Sequence, residues 1–274
     1  MKYRFTLSLL TALLTIGFNS SNVQAQSAFA GFYGQVSTGY ESNQLGSMTG
    51  TAVAVPADNS NLNRSSPSQN FGGMPLVLGI GYYWQASPNW LLGLGADYSA
   101  LSQTSSTFSV TNTNAAGNSL LPPGTTDSGN GASLKASNRY NFFVSPAYVL
   151  DKEKIIYLKA GYSQVSAQYN PPGSATTTSS NGISATSATK ASSQSSTLGG
   201  YLIGLGYKQM IASGFYGFVE GNYMGYANPS YSYTTGYSAV KNNLGVTSTS
   251  TTYHSTNFNG LNTYQFLIGA GYAF

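Results

Sequence analysis

The sequence predicts an all-β fold, an eight-stranded antiparallel transmembrane β-barrel that follows a cleavable N-terminal signal peptide. Three observations predict it. Eight segments alternate bulky apolar residues with small or polar ones, the links between them alternate in length, and only 7% of the 274 residues are charged. Soluble domains carry about 25% charged residues. This composition therefore indicates a protein that meets a solvent other than water.

The N-terminus has the pattern of a secretory signal peptide. A positively charged start precedes an apolar run at 5–18, and small residues at 23–25 offer a cleavage site. The run is too short for a comfortable transmembrane helix, although a retained anchor is the alternative. We therefore assign 1–25 to the signal peptide and 26–274 to the barrel.

The eight alternating segments are the expected barrel strands. They lie at 31–41, 73–85, 89–102, 138–150, 154–169, 197–211, 214–227 and 260–274. No segment after the signal peptide has 18 consecutive apolar residues, so no spanning helix is expected. In lipid, the other structure that satisfies every backbone group is a closed barrel.

The links between the segments alternate between short turns and long loops. The long links are 42–72, 103–137, 170–196 and 228–259, and they are rich in Ser, Thr, Asn, Gly and Pro. Short turns at one end and long loops at the other are typical of outer-membrane barrels. We expect the four loops to be extracellular and both termini to be periplasmic. The loops are expected to form low-complexity surface cover, with adaptable binding loops as the alternative.

One face of each segment is suited to lipid. In the third segment Leu92 and Leu94 lie between the aromatic residues Trp90 and Tyr98. An aliphatic belt between two aromatic girdles is the expected outer surface of a membrane barrel. The alternative is a soluble β-sandwich with the same rows in its core, but it explains neither the signal peptide nor the loop pattern.

The last segment carries the most specific motif. Its bulky row consists of Tyr264, Phe266, Ile268, Tyr272 and Phe274. This row resembles the C-terminal assembly signal of outer-membrane β-barrel proteins. The chain as a whole is similar to the small eight-stranded group that includes the OmpA transmembrane domain and the opacity-type "porin family" barrels.

This resemblance implies an outer-membrane location, contact with outer-membrane lipid and lipopolysaccharide, and recognition by the barrel-assembly machinery. OmpA-type proteins continue into a periplasmic peptidoglycan-binding domain, whereas this sequence ends at the last strand segment. Tethering to the cell wall is therefore not implied.

Alternation places six charged residues on the inward faces of the strands. They are Glu41, Asp97, Arg139, Lys159, Lys208 and Glu220. Unpaired charges inside a narrow barrel would be costly, so we expect pairing. Asp97 and Arg139 lie on adjacent strands, and Lys159 and Glu220 flank a strand whose inward residues are glycines. Lys208 lies near the periplasmic rim, where solvent can reach it.

These residues leave two interpretations of the lumen open. Side chains fill an eight-stranded barrel, so the charge pairs and large residues such as Tyr33 and Phe143 can plug it. Inward glycines can instead leave watery space for a narrow gated pore that carries ions or small solutes. The expected role is structural or surface-interacting, adhesin-like, with a host or surface ligand bound through the loops, and the pore is the alternative.

Catalysis and cofactor binding have little support. His254, the single histidine, lies beside Ser255, but no acid within its loop can orient it. With one histidine and no cysteine, no metal site or other cofactor is expected. The sequence has no run of basic residues, so a nucleic-acid partner is not expected. We therefore expect no enzyme activity, and an outer-membrane lipid-modifying enzyme is the remote alternative.

Overall fold

The computed structural model describes residues 27–55, 61–115, 121, 123–237 and 250–274, so the proposed signal peptide lies outside the described residues. Seventeen β-strands form within them. In chain order they are β1 (Gly31–Leu45), β2 (Met48–Val55), β3 (Asn61–Ser66), β4 (Gln69–Gly73), β5 (Leu76–Ser87), β6 (Trp90–Ser99), β7 (Gln103–Thr104), β8 (Phe108–Asn114), β9 (Thr126–Asp151), β10 (Lys154–Asn170), β11 (Ser174–Thr178), β12 (Ser184–Ala188), β13 (Gln194–Met210), β14 (Phe215–Tyr226), β15 (Ser230–Tyr237), β16 (Ser250–Phe258) and β17 (Leu261–Ala273). In these described ranges no helix has the length and apolarity to cross a membrane.

Eight of the strands close into a barrel, which confirms the expected fold class. The ring runs β1, β5, β6, β9, β10, β13, β14, β17 and back to β1, with every neighbour antiparallel. Tyr33 illustrates the closure, because its backbone lies opposite Gly81 on one side and Ala273 on the other. A closed ring leaves no unpaired sheet edge in lipid.

Short turns join the ring strands at one end, named here the turn end, and the long links leave from the other, the loop end. The outer face carries an apolar belt that includes Leu94, Leu158 and Leu205. Aromatic side chains form a girdle at each end of the belt. On β9, Tyr140 and Tyr148 mark the two girdles, and the strand between them spans about 20 Å of height at a tilt of about 40°. This is close to the apolar band of about 25 Å on known membrane barrels.

The four long links contain ordered strands, which differs from the expectation of low-complexity loops. β2, β3, β8, β11, β12, β15 and β16, together with the first part of β9, form a second antiparallel sheet above the loop-end girdle. We name this sheet the extension. Its inward side chains, among them Met48, Phe108, Tyr231 and Phe258, pack into an apolar core that continues the barrel interior. The barrel wall therefore rises well beyond the belt.

Candidate functional sites

The turn end of the lumen is closed by an aromatic layer around Lys208. The Lys208 ammonium lies 3.9 Å from the ring centre of Tyr33 and 4.9 Å from that of Tyr216, and three further rings lie within 6 Å. It also donates a hydrogen bond of 2.9 Å to Oε1 of Gln35. Only 1% of Lys208 is exposed, so the expectation that solvent reaches it is wrong. Phe29, from the segment before β1, belongs to the same buried cluster as Tyr33 and Tyr216.

The middle of the lumen holds a three-residue ion cluster. The Lys159 ammonium lies 2.5 Å from Oδ2 of Asp97 and 3.0 Å from Oε1 of Glu220. Tyr157 and Asn222 donate further hydrogen bonds to the Glu220 carboxylate. The expected approach of Lys159 to Glu220 is present, and Asp97 joins them from the opposite wall. All three charged side chains are buried.

A second ion pair lies nearer the loop end. Arg139 donates to Oε2 of Glu41 at 2.5 Å and to the hydroxyl of Tyr226 at 2.9 Å. Asn43 and Thr263 also accept hydrogen bonds from this guanidinium. Glu41 in turn accepts bonds from side-chain amides, so both ions are hydrogen-bonded as well as paired.

The two expected neighbours Asp97 and Arg139 do not pair with each other. Asp97 lies opposite Asn141 in the β6–β9 register, whereas Arg139 lies opposite Ser99, two positions nearer the loop end. At that height the nearest carboxylate is across the lumen, on β1. Adjacent strands therefore supply the charges, but different heights separate them.

The inward glycines make room for large side chains, a point that the sequence left open. A methyl group added at Gly93 would meet the ring of Tyr83, and one at Gly95 would meet Phe143. The same holds for Gly269 against Phe218. Each ring belongs to the residue that is paired with the glycine on the adjacent strand. Because these rings fold over the glycines, the glycines do not leave an open path there.

Some buried polar atoms in the middle of the lumen lack a partner. Asp97 Oδ1, Ser99 Oγ and Asn141 Oδ1 are buried without a hydrogen bond in the described part of the chain. These residues are neighbours on β6 and β9. Buried polar groups of this kind are usually satisfied by internal water. They mark a part of the lumen, beside the ion cluster, where water has polar partners to bind, and Oδ1 of Asn222 next to Glu220 is a further such atom.

His254 lies inside the extension in contact with Tyr233 and Arg64. Its ring stacks on Tyr233 at 4.6 Å, Nδ1 lies 3.1 Å from Nη1 of Arg64, and Nε2 lies 2.9 Å from the hydroxyl of Thr235. Because a guanidinium only donates, Nδ1 accepts and Nε2 carries the proton. Burial, with the Arg64 cation as a second cause, lowers the pKa of His254 to about 3. Both ring nitrogens are engaged, and among the described residues neither contacts a carboxylate or Ser255.

A groove of about 550 Å³ lies on the outer face of the extension beside this cluster. It crosses β2, β16 and β15 and is bordered by Ser192, which precedes β13, and by Gln194, the first residue of β13. Tyr253 stands in the groove with 53% of its surface exposed. The groove is not predicted from the sequence, because the polar composition of the link indicates a loop, although Tyr231, Tyr233 and Tyr237 alternate with small residues.

The aromatic row of the last strand lies on the outer face of the barrel. Tyr264, Phe266, Ile268, Tyr272 and Phe274 are all exposed there. Phe274 packs edge-to-face on Tyr272 at 4.9 Å, and its amide donates to the carbonyl of Phe32 on β1. The row therefore lies at the seam where the last strand meets the first. Its role as an assembly signal stays a prediction.

Comparison with known proteins returned no matching family model and no matching curated protein. Among solved structures, the chain is similar to OprG of Pseudomonas aeruginosa, an outer membrane protein, with 14% identity, 92% of this chain and 99% of that chain covered, and a TM-score of 0.43. It is similar to the Escherichia coli outer membrane protease OmpT with 11% identity, coverage of 93% and 100%, and a TM-score of 0.41. It is also similar to Ail, the attachment invasion locus protein of Yersinia pestis, with 12% identity, coverage of 86% and 99%, and a TM-score of 0.32. Similarities this weak do not indicate a function. The strand pairing of the chain itself shows the fold, which is a small eight-stranded barrel of the outer-membrane type.

Proposed function

We propose that this protein is an outer-membrane barrel whose lumen is closed and whose task is to hold the extension at the cell surface, in a structural or adhesin-like role. The observation that best supports this function is that side chains fill the lumen. An aromatic layer, a three-ion cluster and an ion pair follow one another from the turn end to the loop end, and the apolar core of the extension continues above them. A barrel with a filled lumen and a wall that extends beyond the belt is suited to presenting the surface of the extension.

The apolar belt supports the membrane location, since exposed side chains such as Phe142, Ile203 and Phe266 would be unfavourable in water. We place the turn end in the periplasm and the loop end outside, because short turns are periplasmic in this architecture. Contact with lipopolysaccharide and assembly through the aromatic row of β17 follow from the same placement.

The experiment that tests the closed lumen is conductance in planar bilayers. The purified protein is expected to give no stable channels, because the filling side chains come from all sides of the ring. Lys208→Ala removes the ammonium at the centre of the aromatic layer, and a matched Lys154→Ala variant removes an exposed cation at the turn end. Regular openings of the unaltered protein would contradict the closed lumen.

A narrow gated pore is the second candidate, and one observation favours it. Asp97, Ser99 and Asn141 offer unpartnered buried oxygen atoms in the middle of the lumen, where water or an ion has polar partners. In this reading Lys159 exchanges carboxylate partners as the path opens. Steady conductance that rises in Lys159→Met would support the pore over the closed barrel.

A further inference from the structure

Two parallel rows of side chains cross the groove on the outer face of the extension. The strand registers place Val53, Tyr253 and Thr234 in one row. They place Thr51, Ser255 and Ser232 in the next. Cross-strand neighbours of this kind have Cβ atoms about 5 Å apart, so the two rows form one continuous surface. Ser192 and Gln194 stand along one side of it.

The chemistry of this surface is polar and uncharged. One exposed aromatic ring is surrounded by hydroxyl groups and one amide, and none of the ten lining residues carries a charge, because His254 is neutral. Hydroxyls and amides both donate and accept hydrogen bonds. An aromatic ring offers a flat apolar face to C–H groups. A saccharide unit, which has an apolar C–H face and a rim of hydroxyls, matches both features.

The floor of the groove is held rigidly. Tyr233 is fixed by its stack with His254 and by a 2.7 Å hydrogen bond from Arg64 to its hydroxyl. Thr235 holds the other side of the histidine ring. Residues whose positions are set by packing behind them lose little freedom when a ligand binds, which favours affinity.

We propose that this groove binds a neutral saccharide unit of the glycolipid that surrounds the barrel in the outer leaflet. The groove opens sideways, on the same outer face as the lipid-facing belt. β16 joins β17 through Asn259 and Gly260, so Tyr253 lies above the girdle residue Tyr264 on the same side of the wall. A sideways groove above the belt faces the sugars that membrane glycolipids carry. This proposal rests on the outer-membrane location given under the proposed function.

The test uses the protein purified in detergent, so it depends on neither the location nor the closed lumen. The probe is the lipid-free oligosaccharide released from lipopolysaccharide of the same cells, titrated with observation by saturation-transfer NMR. Tyr253→Ala is expected to weaken binding by about tenfold or more, because the ring is the main apolar contact. Ile183→Ala is the matched control, since Ile183 is exposed at the tip of the β11–β12 hairpin. It should bind as the unaltered protein does, and heat-modifiable gel mobility checks that both variants fold.

A second measurement locates the site. The chain has no cysteine, so Ser232→Cys introduces one thiol in the groove and Ile183→Cys one thiol outside it. The oligosaccharide should slow maleimide labelling at position 232 and leave position 183 unchanged.

Three outcomes would overturn the proposal. The first is no saturable binding of the released oligosaccharide. The second is protection by maltoheptaose but not by the released oligosaccharide, which would assign the groove to a saccharide from outside the membrane. The third is full binding of the oligosaccharide by Tyr253→Ala, because the site would then lie elsewhere than at the exposed ring of the groove.

Discussion

Each buried charge in the lumen is stabilised by different partners. Arg139 has a carboxylate and a tyrosine hydroxyl, Lys159 has two carboxylates, and Lys208 has aromatic rings and one amide oxygen. Removing one member of a buried ion pair leaves the other without compensation, which costs more than removing both. The consequences can be measured one residue at a time.

Glu41 and Arg139 should be strongly coupled in stability. Glu41→Gln or Arg139→Met alone is expected to lower the free energy of unfolding by about 3–5 kcal/mol, and the double variant by less than the sum. Urea unfolding in detergent, followed by gel mobility, measures the cycle. The exposed pair Asp151 and Lys154 provides the control, and Asp151→Asn should change little. Additive losses at Glu41 and Arg139 would show that the pair is not coupled.

The extension should weaken as the pH falls, because of His254. Its pKa is lowered to about 3 in the folded protein, whereas a free histidine has a pKa of about 6.5. The unfolded extension therefore binds the proton more readily between these values. The contribution of the neutral histidine to the stability of the extension is fully present above about pH 6.5, and it is lost progressively as the pH falls toward about 3. Hydrogen exchange of β15 and β16 at pH 7.5 and pH 5 measures the change.

The control for this effect is His254→Gln. His254 is the single histidine of the chain, so the variant should be less stable at pH 7.5 but should lose the dependence between pH 7.5 and pH 5. Equal protection of β15 and β16 at both pH values in the unaltered protein would mean that the histidine is not held neutral by its surroundings.

At the scale of the strand, alternation decides which side chains meet lipid. On β6, Leu92 and Leu94 point outward while Leu91 is buried, and the paired strand β9 shows the same phase at Phe142 and Val144. A shift of one residue would reverse both faces of a strand. A substitution on the outward face therefore tests the register of the strand.

Leu94→Arg should destabilise the barrel by about 2–4 kcal/mol in bilayers, since the side chain faces lipid near the middle of the belt. Asn63→Arg is the matched control, because Asn63 is exposed on the outer face of the extension, above the belt. Denaturant titration in lipid vesicles compares the two. A harmless Leu94→Arg would place this face of β6 away from the hydrocarbon.

The barrel strands could be predicted because lipid imposes period-two alternation on one face of each strand. The strands of the extension were missed because their outward residues are polar, as the Asn and Ser residues of β3 are, so only the inward row carries a signal. In β15 that row is visible as Tyr231, Tyr233 and Thr235. Its alternation was weaker evidence than the overall polar composition of the link.

The contacts across the lumen could not be predicted in the same way. Alternation places Asp97 and Lys159 inside, but it does not give their relative heights, which depend on the tilt of the ring. The burial of Lys208 depends on rings contributed by β1, β5, β10 and β14 and on Phe29 beneath them. These are contacts between strands far apart in the chain, and no local pattern encodes them.

At the scale of the whole molecule, the topology assigns an orientation to the two ends. A peptide tag inserted at Asn181, in the β11–β12 hairpin, should be accessible to antibody on intact cells, because we place the loop end outside. A tag at Lys152, in the turn between β9 and β10, should be accessible only after the outer membrane is opened. The reverse pattern of accessibility would show that the barrel has the opposite orientation in the membrane.

The long strand β9 has a consequence for how the protein meets its surroundings. It runs without interruption through the belt and into the extension, from Asp151 back to Thr126. The part before Tyr140 rises about 35 Å at about 3.4 Å per residue and a tilt of about 40°. The fold therefore fixes the height of the tip of the extension above the girdle. With the loop end outside, as we propose, we expect antibodies to reach the tip in cells whose surface sugars are shorter than this height, and not in cells whose surface sugars are longer.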